Sequence, residues 1–168
     1  MSRFTELLIA EASRLVGVEE VGGTNCGPVV NEIKKACPAL PHDVGWPWCA
    51  AFVCHCVQKA LAAAGIPETA TFKAPTTAAA FGLITWSLEQ DDSTSTKKSP
   101  GLDIRPGDLI VFTFSHCGIA ISAPGNKHGT FRTIEGNTDA AGSREGGGVF
   151  RKERSPNKVR ARIRFTFP

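Results

Sequence analysis

The strongest constraint on this chain is a change of pattern near residue 105. Before it, apolar residues recur at helical spacing and alanine is frequent. After it, DLIVFTF, HCGIAIS, TFRTIEG, GVFRKER and KVRARIRFTFP are short, β-branched or aromatic, and separated by Gly, Pro, Asn and Asp. Helices followed by about five strands predict an α+β fold, with N-terminal helices packed on an antiparallel sheet. At 168 residues and 42% hydrophobic, the chain can bury one good core, so residues 1–168 are read as a single domain.

Phe4, Leu7, Leu8, Leu15 and Val18 mark a first amphipathic helix. Glu6, Glu11 and Arg14 interrupt its apolar run, so it is not an export signal. No run is long enough to span a membrane, and synthesis in the cytoplasm without a signal peptide is expected. GGTNCGP is a turn cluster, and VVNEIKKAC reads as a short helix. PALPHDVGWP is a proline-bearing loop leading to CAAFVCHCVQKALAAA, a helix from Cys49 to Ala64 stopped by Gly65. TTAAAFGLITWSLEQ reads as a further helix, and DDSTSTKKSPG, with no apolar anchor, as a mobile surface loop.

Six cysteines stand at 26, 37, 49, 54, 56 and 117. Lack of an export signal argues against a disulfide framework and for reduced thiols. A zinc site is disfavoured too: Cys54 and Cys56 diverge by roughly 200° on a helix of ~3.6 residues per turn. Cys49 differs from the rest by position. It sits where a loop becomes a helix, so free N–H groups and the positive end of the dipole favour its thiolate. Cys54, His55 and Cys56 are read as packing or surface residues.

A thiol nucleophile needs a base and a group that orients the base. Of the histidines 42, 55, 116 and 128, His55 lies around the back of the Cys49 helix, His42 lies in the preceding loop and His128 falls in a hairpin turn. His116 opens a strand and shares a face with Gly118, Ala120 and Ser122, small residues that leave room beside it. In TFRTIEGN, Glu135 and Asn137 end a strand placed to neighbour it, where a carboxylate would hold the imidazole's tautomer. Taken alone, Glu-Gly-Asn is equally a turn cap.

PWCAAFV, RPGDLIVF, SHCGIAI and TIEGNT, in that order, resemble the CHAP family, the cysteine, histidine-dependent amidohydrolases/peptidases related to NlpC-type and papain-like enzymes. The likeness runs from about Val18 to Phe150, and EVGGTNCGPVVNEI resembles the family's opening segment. The resemblance implies that Cys49 is the nucleophile, His116 the base, Glu135 the orienting acid and Asn137 a supporting polar residue. It also implies hydrolysis of amide bonds in bacterial peptidoglycan, by an endopeptidase or an N-acetylmuramoyl-alanine amidase serving as a lysin, an autolysin or a delivered toxin. An immunity protein is a partner in the toxin case. Some members hold calcium through paired aspartates before the nucleophile; here only Asp43 stands there, so no metal and no cofactor are expected. Two other readings stay open: a catalytically silent binding module on this scaffold, and a thiol amidase of a small peptide conjugate.

Trp46 and Trp48 flank Cys49 and are candidate substrate contacts. In KVRARIRF, alternation turns Val159, Ala161, Ile163 and Phe165 to the core and Arg160, Arg162 and Arg164 to the other side. That side is read as the solvated face of an edge strand, or as a basic strip for an anionic wall polymer. A net charge of +3 demands no nucleic acid, and a monomer is expected.

Overall fold

A computed structural model describes residues 1–98, 103–125, 129–142 and 146–167. His128 lies outside them. The elements in order are α1 (Arg3–Arg14), α2 (Pro28–Lys34), α3 (Cys49–Ala64), α4 (Gly82–Glu89), β1 (Thr94–Lys98), β2 (Leu109–Phe112), β3 (Cys117–Ala120), β4 (Phe131–Thr138), β5 (Gly148–Arg154) and β6 (Val159–Phe165). The strands form one antiparallel sheet in the order β1-β6-β2-β3-β4-β5. The α+β class read from the sequence is the observed one. Among the described residues, no helix is long and apolar enough to cross a membrane.

α3 is the central helix. Ten of its sixteen residues are buried, and its alanines let α1 and the sheet approach closely. It ends at Gly65, whose φ of 70° and ψ of 28° are left-handed, the conformation that makes glycine the preferred stop. α1 is capped by the Ser2 hydroxyl, which accepts from the Thr5 amide, and buries Phe4, Leu8 and Ala12 at four-residue spacing. The main core lies between the helices and one sheet face, with Val111, Cys117, Ile119, Ile134 and Ile163 pointing into it. The opposite face carries a smaller cluster of Ile104, Ile110, Phe112, Ala120, Phe131 and Val159.

Four expectations need correction. α1 stops at Arg14, so Val18 is not helical. It runs beside β5 instead, with Val18 O accepting from Val149 N and Glu20 N donating to Gly147 O. Residues 94–98, read as loop, form β1, whose register comes from its partner β6 rather than from apolar anchors of its own. Thr94 and Thr96 are tied to Ser87 of α4 by hydrogen bonds.

β6 is consequently an interior strand, not an edge. A register shift opposite Val111/Phe112 breaks its alternation, placing Val159 in the small cluster and Ala161 and Ile163 in the main core. The three arginines form no free basic strip. Arg160 lies over the Phe81 ring, Arg162 is buried and bonds Ser95 and Asp103, and Arg164 is paired with Asp103 and Asp108. A polymer would have to displace those carboxylates.

Candidate active site

Three elements meet at one end of the sheet. Pro47 and Trp48 lead directly into α3, and no side chain caps its first turn, so Cys49 sits at an open helix start, the residue 6% exposed. The turn from β2 to β3 passes through Ser115 in a left-handed conformation, and Phe112 N donates to His116 O. The imidazole lies beside the stacked rings of Phe112 and Phe114, nearly parallel to both, with centroids 6.0 and 5.9 Å away.

β4 supplies the acid. His116 Nε2 lies 2.9 Å from Glu135 Oε2, both side chains fully buried. The Thr133 hydroxyl donates to Glu135 Oε1, and Arg154 of β5 clamps the carboxylate through Nε at 2.8 Å and Nη2 at 2.5 Å. Arg154 also lies over Phe112 and Phe114. Two glycines make the meeting possible. A Cβ on Gly118 would lie 2.5 Å from Glu135 Cγ. One on Gly136 would lie 2.6 Å from Phe52 Cβ and 2.9 Å from Trp48 Cζ3, so only glycine lets β4 touch the start of α3. Replacing Gly136 with alanine should therefore cost about 2 kcal/mol or more, by overpacking. Thermal melts measure this, and an unchanged melting temperature would mean that the contact is soft.

The electrostatics follow from the partners. Burial works against the Glu135 carboxylate, but Arg154 and His116 outweigh it and hold its pKa at about 2. Burial also works against the imidazolium, yet Cys49 and Glu135 raise His116 to about 9. The Cys49 thiol is held well below its ordinary value by hydrogen bonding from Cys117 and then by His116, against the opposing effect of burial. Both shifts favour the thiolate–imidazolium form of the pair over the neutral one. Ring atom Nδ1 of His116 is buried and has no hydrogen-bond partner.

Asn137 sits two residues beyond Glu135 at a register shift in β4, buried and at a φ of 56°, a left-handed conformation that asparagine tolerates. It lines a cavity of about 350 Å³. Trp48 contradicts its assignment as a substrate contact: it is fully buried, and its Nε1 donates to Glu20 Oε1 at 2.9 Å. Trp46 is half-buried, with Lys34 above its ring. Sequence reasoning missed Thr133, Arg154 and Cys117 as neighbours of the site. Thr133 shares a sheet face with Glu135 by strand alternation alone, a signal open in the sequence, whereas Arg154 joins that face only once the β4–β5 register is known. All six cysteines are free thiols, with Cys54 and Cys56 buried along α3 and His55 paired with Glu11. Among the described residues, no cluster of three or more His, Cys, Asp or Glu is able to hold a metal ion.

No protein-family model matches the sequence. No curated protein matches it either. Among solved structures, the crystal structure of a wild-type endolysin, LysIME-EF1, is similar to this chain with a TM-score of 0.59 at 17% identity. The match covers 99% of this chain and 66% of the endolysin, so the chain spans just under two thirds of that protein's length. The fold is thus similar to that of an endolysin.

Proposed function

We propose that this chain is a cysteine hydrolase of the CHAP type, a single catalytic unit that cleaves amide bonds in bacterial peptidoglycan at the cell wall. The observation that carries the reading is the buried His116–Glu135 pair beside a depressed thiol at a helix start. The likeness to an endolysin fold supports the choice of substrate.

In this reading the Cys49 thiolate attacks the amide carbon, and the carbonyl oxygen takes up the negative charge, met by the Cys49 backbone N–H. The His116 imidazolium gives its proton to the leaving nitrogen as the C–N bond breaks, leaving a thioester on Cys49. His116, now neutral, takes a proton from water, whose oxygen attacks the thioester. The acid leaves and the thiolate returns. Nδ1 is the nitrogen that carries this proton, because Nε2 is held by Glu135. Asn137 supports the Glu135 end of β4, and Trp46 borders the substrate's path.

The test is incubation with purified peptidoglycan of several chemotypes, with the released fragments weighed by mass spectrometry. Release of peptides or of new amine and acid termini is expected, with no metal added. The rate should fall as pH rises through about 9, where His116 loses its proton, and its acidic limb should lie below the ordinary cysteine range. No release from any chemotype would overturn the substrate assignment.

A further inference from the structure

Glu20 belongs to the segment that runs beside β5, its backbone N donating to Gly147 O. Its Oε1 accepts from Trp48 Nε1, the residue immediately before Cys49, and its Oε2 accepts from the Asn25 amide at 2.8 Å. Each oxygen keeps acceptor capacity beyond these single bonds. Among the described residues no cation pairs with it. Lys34, on the same part of the fold, is committed to Asn25 O, Val44 O and the Trp46 ring. Glu20 lines the 350 Å³ pocket together with Gly23, Asn25, Pro47, Asn137 and Gly147. Pro47 is two residues from Cys49 and Asn137 two residues from Glu135, so two walls of this pocket are continuous in chain with the catalytic candidates, the Cα atoms of Pro47 and Cys49 being at most about 7 Å apart.

A part-buried carboxylate facing an open polar pocket, with no counter-charge among the described residues, is complementary to a cation. Both of its oxygens already take one donor, which disfavours a bidentate guanidinium fork and suits a compact ammonium with three donors. Resting on the proposed amide hydrolysis, we infer that Glu20 is a specificity residue selecting substrates with a free primary ammonium group near the scissile amide. The group is either the side chain of a diamino residue or an unblocked peptide N-terminus.

The first test needs no wall substrate. Cys49 is labelled with two methanethiosulfonates, one bearing an ethylammonium and the other a neutral hydroxyethyl group, and the Cys49 peptide is followed by mass spectrometry. Replacing Glu20 with glutamine should lower the relative rate of the cationic reagent about fivefold, the scale of one partly exposed charge pair. An unchanged ratio would overturn the inference. The second arm uses the unaltered protein, so it holds even if Glu20→Gln folds poorly. Soluble wall fragments with a free amine should be cleaved with a kcat/KM at least about fivefold above their acetylated forms. Fragments acetylated singly on the side chain or on the terminus identify which amine matters; equal rates for all three would overturn the inference. If no fragment is cleaved but the labelling ratio responds to Glu20, the peptidoglycan reading fails and the cation site stands.

Discussion

Replacing Cys49 with alanine is expected to abolish hydrolysis, by on the order of 10⁵-fold or more, while the protein still folds. The sulfur forms the bond to substrate, so nothing else in the site substitutes for it. The fold should tolerate the change because alanine is an excellent residue for a helix start and removes only one atom from a site at the core's margin. The variant carries a second signature. Cys49 is the largest of the influences that raise His116 to about 9, with burial opposing it. Without the thiolate, the imidazole should titrate below that value, readable by NMR of its ring protons. Cys54→Ser and Cys56→Ser, on buried positions along the same helix, should retain the activity that Cys49→Ala loses. Equal losses for all three would defeat the assignment of Cys49.

How much of this was legible beforehand depended on whether a residue's environment is set locally. The α3 boundaries were readable because Pro47 before and Gly65 after act through their own backbone preferences. Cys49 at a helix start and His116 at a strand start were readable for the same reason, and the fold does bring them together with Glu135. β1 was not readable: its Thr-Ser-Thr-Lys-Lys has no apolar alternation and becomes a strand only because β6 offers a free edge. Arg154 was hidden because it reaches Glu135 across a pairing whose register the sequence leaves open. Trp46 and Trp48 look alike in sequence, yet a carboxylate 28 residues upstream draws Trp48 inside. The arginines of β6 looked like a free strip because Asp103 and Asp108 are remote in sequence and adjacent in space.

Replacing Glu135 with glutamine should damage activity and stability together, with different pH dependences. A neutral amide cannot stabilise the imidazolium or hold His116 in one tautomer, so hydrolysis should fall by on the order of 10³- to 10⁴-fold. The stability cost arises from Arg154, left beside Glu135's position with its charge unpaired in a largely buried site. The carboxylate's pKa is about 2 when folded, against an ordinary value of 4.5, a depression that corresponds to about 3 kcal/mol of native-state stabilisation. The sign follows from that depression. A group that is more acidic in the folded protein stabilises it fully above the unfolded value and loses that contribution as pH falls through the folded one. Wild type and variant should therefore differ most at pH 5 and above, and their difference should shrink between about 4.5 and 2 as the wild-type carboxylate takes up its proton. Denaturant unfolding across that range measures the gap. A gap that stays constant with pH would place the cost in shape rather than charge, and would remove Glu135 from the electrostatic account of the site.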